Sequence, residues 1–72
     1  MYRNLIMILQ NKGITNRQLA EFLGVTEKTA YNKLHLETDF TLAEAVKIHS
    51  LLCPEYNFDF VYRVFLDNKA VS

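Results

Sequence analysis

Three polar side chains in one short segment have the chemistry needed to read the edges of DNA base pairs. The amide of Asn32 can form paired hydrogen bonds with adenine, and the ammonium of Lys28 can donate to guanine O6 and N7. Thr29 can hydrogen-bond either kind of base or contact a thymine methyl group. All three lie between residues 27 and 34, in the segment E-K-T-A-Y-N-K-L. A helix carrying them would suit the major groove, because that groove gives each base pair a distinct pattern of donors and acceptors.

Two predicted helices joined at a glycine would position this segment. Thr15 and Gln18 have the spacing of a capping box, which predicts that a helix begins directly after Thr15. Gly24 can end that helix in the left-handed conformation, and Thr26 is a suitable N-cap for a second helix over 27–34. Together they predict a helix-turn-helix, the motif that commonly presents its second helix to the major groove.

Two longer predicted helices flank this motif. The first spans 2–11 and ends at Gly13. The second begins after a further capping box, Thr41 with Glu44, and ends before Pro54, because the residue preceding a proline disfavours helical geometry. Its predicted inward set has helical spacing and consists of Leu42, Ala45, Val46, His49 and Leu52.

The segment 57–66 has two interpretations that the residues alone leave open. Asn57 can cap a short fifth helix that packs Phe58 and Val61 over the bundle. The same run also has the two-residue periodicity and the aromatic and β-branched composition of a strand. We predict a short helical turn followed by a strand or an extended arm. Because so much apolar surface is costly to leave in water, 57–66 is a predicted dimerisation element, and 67–72 a flexible tail.

Length and charge fit one small globular domain, predicted to span residues 1–66. The chain has 72 residues, of which 50% are hydrophobic, and eight basic residues balance eight acidic ones. Residues 1–36 hold five basic and two acidic side chains, a balance of +3, whereas residues 37–72 hold three basic and six acidic ones, a balance of −3. The positive half contains the predicted reading helix, as attraction to phosphates would require.

Other kinds of chemistry have little support in the sequence. No Gly-rich phosphate loop and no paired nucleophile and base are present, so we expect no enzyme activity and no cofactor. His49 and Cys53 have helical spacing but lack the further ligands of a structural zinc site, so we expect no metal. No apolar run approaches the roughly 18 residues of a membrane span. A single cysteine agrees with a reducing compartment. We therefore expect a cytoplasmic protein, and we expect neither membrane nor small-molecule partners.

Two segments of the chain resemble the phage repressor and Cro-like helix-turn-helix domains, also called the XRE family. They read G-I-T-N-R-Q-L-A-E-F-L-G-V-T-E-K-T-A-Y-N-K-L and F-T-L-A-E-A-V-K-I, and the resemblance covers residues 2–62. It implies an all-α, lambda-repressor-like bundle of four to five short helices that binds operator double-stranded DNA, usually as a dimer. Two positions depart from the family pattern. Lys33 stands where many members have an apolar residue, and His35-Leu36 stands where many have Asn-Gly.

The resemblance also implies which residues contact DNA. It places the groove-facing positions on Glu27, Lys28, Thr29 and Asn32, and it places Asn16 and Gln18 at the DNA backbone. Glu27 can accept from cytosine N4, although a carboxylate is repelled by phosphates and is favoured at a helix N-terminus for structural reasons. Polar and cationic side chains around the motif complete the set of expected backbone contacts, which is Asn16, Arg17, Gln18, Thr26, Tyr31 and Lys33.

Two functions from different classes fit these observations. The first is a dimeric, sequence-specific transcriptional regulator, repressor or Cro-like, that inserts residues 27–34 of each protomer into successive major grooves. The alternative is a protein-interaction module on the same fold, such as an antirepressor or an accessory factor of a mobile element. Its basis is that a fold does not determine function and that the net charge is zero. Replacing Lys28 and Asn32 by alanine separates the two, because only the first function requires those side chains.

Overall fold

The protein is all-α over the residues that the structure describes. In this computed structural model, residues 1–64 form five helices and no strand. The helices are α1 Arg3–Asn11, α2 Asn16–Leu23, α3 Glu27–Leu34, α4 Leu42–Leu52 and α5 Phe58–Val61. The predicted all-α fold class is therefore confirmed, and residues 58–61 are helical rather than extended. Residues 65–72, with the end of the predicted dimerisation element and the predicted tail, lie outside the described residues.

Local side-chain hydrogen bonds fix where most of the helices begin. At α2 the predicted capping box is formed, because the Gln18 amide donates to Thr15 Oγ1 over 3.1 Å and the Thr15 amide donates to Gln18 Oε1 over 2.9 Å. The predicted box between Thr41 and Glu44 has the same two distances at α4. The remaining side-chain caps are Thr26 for α3 and Asn57 for α5. Each of these helices begins where its cap predicted.

Three helices end at a residue in the left-handed conformation. Gly13 and Gly24 have φ of 74° after α1 and α2, and Leu36 has φ of 68° after α3. In all three turns the following amide donates to a carbonyl five residues back, over 2.8, 3.0 and 2.8 Å respectively. These are Schellman turns, which satisfy carbonyls that the helix leaves unpaired. Leucine adopts this conformation at a cost of about 1–2 kcal/mol, whereas glycine does not bear that cost.

The five helices share one apolar core. Its completely buried members come from every helix and are Leu5, Ile8, Leu19, Ala30, Ile48, Cys53 and Val61. Burial raises the pKa of the Cys53 thiol. Each helix therefore packs one of its sides against this common core.

On α4 the predicted inward set is partly wrong. Ala45 and Ile48 are buried, whereas Leu42 is 75% exposed and Val46 is 48% exposed. Leu52 is half-buried, as its place beside Ile48 on the helix requires. Apolar residues of α4 lie on most of its sides. Helical spacing alone therefore did not distinguish the side that packs against the core from the adjacent side, which is exposed.

Hydrogen bonds between helices complete the packing. The Tyr2 amide donates to the Leu34 carbonyl over 2.9 Å, which joins the start of α1 to the end of α3. The Tyr62 hydroxyl donates to the Ala45 carbonyl over 2.9 Å, and the Asn4 side chain donates to a carbonyl of α5 over the same distance. Burial raises the pKa of the Tyr62 hydroxyl, so this donor keeps its proton. These contacts join α1 to α3, and they join α5 to both α1 and α4.

Candidate nucleic-acid interface

The core holds one side of α3 and leaves the other side in solvent. Ala30 is completely buried and Leu34 is 2% exposed. Successive residues of an α-helix are rotated by about 100°, so Lys28, Asn32 and His35 lie within about 40° of the direction opposite Ala30, and Tyr31 lies about 80° from it. We call this side the outward face of α3, and it consists of Lys28, Tyr31, Asn32 and His35.

Two of the three predicted base readers lie together on the outward face. Lys28 is exposed and makes no ion pair with another residue in the range 1–64. Asn32 is partly exposed, and its side-chain amide makes no hydrogen bond within that range. A side-chain amide without an internal partner retains both its donor and its acceptor. Asn32 can therefore pair with adenine without breaking a contact inside the protein.

The third predicted reader, Thr29, lies beside the outward face and is linked to the helix cap. The Thr26 hydroxyl donates to Thr29 Oγ1 over 2.8 Å, while the Thr29 amide donates to Thr26 Oγ1 over 3.1 Å. Because Thr29 Oγ1 accepts, its own hydroxyl proton is still available for a base. The Thr26 proton is already used within the protein, and a phosphate needs a donor. The Thr26 side chain therefore serves the helix rather than the predicted phosphate contact in this arrangement.

Glu27 lies in the first turn of α3, on the other flank of the outward face. It is exposed, and no residue in the range 1–64 binds its carboxylate. The positive end of the helix dipole favours a carboxylate here independently of any ligand. The position of Glu27 thus fits a structural function as well as the predicted contact with cytosine.

The residues predicted to hold the DNA backbone from α2 are all exposed. Asn16, Arg17 and Gln18 occupy the first turn of that helix. Gln18 uses Oε1 in the capping box, which leaves its NH₂ group as the donor for a phosphate. Arg17 Nε lies 3.7 Å from Glu21 Oε2 on the surface, a pair of the kind that contributes little energy. All three side chains can therefore donate to a phosphate.

Lys33 does not belong to this surface. Its side chain turns inward, so that the residue is 9% exposed, and Nζ lies 3.0 Å from Glu44 Oε1 on α4. The same ammonium donates to the Asp39 carbonyl over 3.1 Å. The Thr41 amide and the Lys33 ammonium together hold the pKa of Glu44 below its usual value. The structure thus places this predicted phosphate contact inside the protein, where its charge is already neutralised.

Two further cations are also engaged elsewhere. The Lys12 ammonium binds the Glu55 carboxylate, and Lys47 Nζ lies 4.7 Å from the centre of the Phe22 ring and donates to the Phe22 carbonyl. Among the predicted contact residues, the exposed cations are therefore Arg17 and Lys28. The candidate interface is therefore only weakly positive, and most of the donors that it offers to a phosphate are neutral.

His35 also belongs to the outward face, although its place in the sequence predicts only that it is part of a turn. It is the C-cap of α3, and its ring stacks on that of Tyr31 with 4.1 Å between ring centroids and 27° between ring planes. The spacing of four residues between Tyr31 and His35 was a signal for this contact, because side chains four apart are neighbours on a helix. Tyr31 itself is 47% exposed.

Comparison with known proteins does not identify the chain. No protein-family model, no curated protein and no solved structure matches it. Membership of the XRE family therefore stays a prediction that rests on the resemblance. Within residues 1–64, none of the helices has both the length and the apolar character needed to cross a membrane. The same range contains no group of three His, Cys, Asp or Glu side chains arranged to hold a metal ion.

Proposed function

We propose that this protein is a sequence-specific DNA-binding regulator of the cytoplasm, repressor or Cro-like and without enzyme activity. In this proposal the outward face of α3 enters the major groove. Lys28, Asn32 and Thr29 contact base edges, and Glu27 flanks them at the start of the helix. The phosphates beside the groove are bound by four further residues, namely Asn16, Arg17, Gln18 and Tyr31. Lys33 and Thr26 are left out of the contact set because their donors are used inside the protein.

The observation that carries the proposal is the two-sided construction of α3. Ala30 and Leu34 anchor the helix in the core, while Lys28 and Asn32, one turn apart, make no ion pair or side-chain hydrogen bond within residues 1–64. A polar helix surface is common in any small protein. Here, however, the ammonium and the amide are the two donors that pair with guanine and adenine, and they follow a tightly capped turn from α2.

The test begins with selection of bound sequences from a random duplex pool, followed by fluorescence anisotropy with the selected duplex and with the pool. Wild-type protein is expected to prefer the selected duplex by about a thousandfold or more. Lys28→Ala with Asn32→Ala should lower this preference by about 1–3 kcal/mol for each lost base contact. If each protomer of a dimer uses two cations, the plot of log K against log salt should have a slope of about −4.

The matched control removes the same two residue types from the end of α1, as Asn11→Ala with Lys12→Ala. Lys12 is bound to Glu55, and both residues lie outside the outward face of α3. The control should alter overall affinity at most modestly and leave the preference between sequences unchanged. Neither side chain is on the outward face, and any contact with a phosphate would carry no sequence information. Equal loss of preference in both double variants would contradict base reading by α3.

We also propose that the protein binds DNA as a homodimer through a surface that we call the apolar edge, formed by Leu42, Val46 and Phe58. Leu42 is 75%, Val46 48% and Phe58 36% exposed, and His49 joins the two helices by an edge-on contact with Phe58 at 5.5 Å. At about 100° per residue, Leu42 and Val46 lie on the opposite side of α4 from Glu44, which binds α3. A partner here would therefore leave the outward face of α3 open.

Charges beside the apolar edge favour a second copy as its occupant. Asp59 and Arg63 are exposed and four residues apart on α5 and the turn that follows it. A two-fold axis brings one patch against itself, so each Asp59 can meet the Arg63 of the other protomer. Sedimentation equilibrium should give a dimer for the wild type and a folded monomer for Leu42→Glu with Val46→Glu. A wild type that stays monomeric at all concentrations contradicts this dimer.

The second candidate function, a protein-interaction module, is favoured by one specific observation. Lys33 and Lys12 are both paired with carboxylates, so the cations available to DNA are fewer than the sequence suggested. If the protein has no affinity for either the selected duplex or the pool, this function takes precedence, and the apolar edge becomes the surface that binds another protein.

A further inference from the structure

We propose, on the basis of the DNA-binding function proposed above, that His35 is a positioning residue. In this proposal its ring holds Tyr31 by stacking, so that the Tyr31 hydroxyl is fixed at a DNA phosphate beside the major groove. His35 itself does not contact DNA. The inference rests on the stacked pair, on the backbone turn that holds His35, and on the place of Tyr31 relative to the base readers.

The stacked pair restrains a side chain that would otherwise move. Tyr31 is 47% exposed, and a half-exposed tyrosine in a helix can exchange between rotamers. The His35 ring lies 4.1 Å from it, centroid to centroid, with only 27° between the ring planes. Offset stacking of this kind adds to the energy of burial alone. The contact therefore selects one direction for the Tyr31 hydroxyl.

The backbone around His35 is itself tightly held. The His35 amide donates to the Tyr31 carbonyl over 3.1 Å, and the amides of residues 36 and 37 donate back to carbonyls of α3 over 3.4 and 2.8 Å. Beyond this turn, the Asp39 carbonyl accepts a hydrogen bond from the Lys33 ammonium. His35 thus has a fixed backbone on both sides, which is what a residue that positions another side chain requires.

The direction of Tyr31 on the helix suits a phosphate better than a base. At about 100° per residue, Lys28 and Asn32 are about 40° apart around α3, whereas Tyr31 lies about 60° to the other side of Lys28. Base edges lie at the floor of the groove, where the N-terminal residues of a recognition helix contact them, and phosphates form the walls of the groove. A side chain on the flank of the helix and farther from its N-terminus, such as Tyr31, therefore meets the wall. A phenolic hydroxyl is a neutral donor for that phosphate. Such donors matter here because the interface has few cations.

The test is a double-mutant cycle measured by anisotropy with the selected duplex. Tyr31→Phe keeps the ring and removes the hydroxyl, while His35→Ala removes the stack. Each should weaken binding about three- to tenfold, the usual effect of one hydrogen bond. The double variant should be no weaker than either single variant, because both remove the same contact. His35→Phe, which retains a stacking ring, should bind like the wild type, and sequence preference should not change in any variant.

Other results would overturn the inference. Additive losses, or a loss in His35→Phe equal to that in His35→Ala, would show that His35 contacts DNA directly. Wild-type affinity in His35→Ala or in Tyr31→Phe would show that the pair only stabilises the end of α3. Circular dichroism on each variant separates loss of folding from loss of binding, and Tyr31→Phe remains informative even if His35→Ala unfolds. If the wild type binds no duplex at all, the proposed function fails first, and this inference fails with it.

Discussion

The two ends of α3 are built by different means. At its start, Gly24 is left-handed with φ of 74°, and Thr26 caps the helix two residues later. At its end, Leu36 has φ of 68°, and Lys33 reaches across to α4, where it binds Glu44. The start depends on neighbours in the sequence, whereas the end depends on contact with another helix. The position of α3 is thus set by one local junction and one long-range junction.

Both departures of this chain from the pattern of the family that it resembles lie at the end of α3. Many members have Asn-Gly where this chain has His35-Leu36, and the structure keeps the left-handed turn there with a leucine. Where many have an apolar residue, Lys33 is nevertheless buried, because its ammonium is neutralised by Glu44. A leucine in the left-handed turn and a lysine neutralised by Glu44 are therefore compatible with the backbone seen at the end of α3.

The largest expected effect comes from removing the long-range junction. Glu44→Ala leaves the inward ammonium of Lys33 without its carboxylate and also removes half of the capping box of α4, so we expect a loss of about 2–4 kcal/mol in the free energy of unfolding. Urea denaturation followed by circular dichroism measures this loss. Glu37→Ala, at an exposed position of the neighbouring loop, is the control and should change stability by less than about 0.5 kcal/mol. Equal stability of the two variants would contradict a structural function of the ion pair.

A smaller loss is expected at the local junction. Gly24→Ala adds a Cβ that meets nothing within 4 Å, so its cost comes from the positive φ alone. We expect about 1–2 kcal/mol. Gly13→Ala has the same φ and equally open surroundings, so it should cost about the same in urea denaturation. A near-zero cost at both positions would mean that the turns adjust without strain.

The ion pair also predicts how stability depends on pH. The pKa of Glu44 is lowered in the folded protein, chiefly by the Thr41 amide and then by Lys33. Its contribution is therefore complete above the ordinary carboxyl pKa of 4.5 and is lost as the pH falls through the lower folded value. Thermal melts of the wild type and of Glu44→Gln should differ most near neutral pH and converge in acid. A difference that persists unchanged in acid would contradict this linkage.

The smallest change in stability is expected at the leucine in the left-handed turn after α3. Leu36→Gly relieves the left-handed strain but increases the freedom of the unfolded chain and removes a half-buried side chain. Relief of about 1–2 kcal/mol of strain is offset by about 0.4–1 kcal/mol for the unfolded chain and about 1 kcal/mol of lost burial, so stability should stay within about 0.5 kcal/mol of the wild type. A clear loss in urea denaturation would show instead that the Leu36 side chain contributes more by packing than its backbone costs.

The sequence predicted the local features of this fold better than the long-range ones. Thr15, Thr41 and Asn57 located helix starts because a cap and its partner lie within four residues of each other. The side of α4 that faces the core was predicted only in part, since Val46 and Ile48 are equally apolar and the choice depends on the other helices. The inward turn of Lys33 could not be read from its neighbours, because Glu44 lies on another helix. His35 was missed because it lies just after the last helical residue, Leu34, where the four-residue spacing from Tyr31 was not considered.

Amide chemical-shift mapping shows directly whether the outward face of α3 contacts DNA. Spectra of the protein alone and with the selected duplex are compared at one protein concentration, so that self-association is the same in both. We expect the largest changes at residues 27–35 and at the start of α2, with little change at Leu42 and Val46. Large changes at the apolar edge, with none along α3, would contradict it.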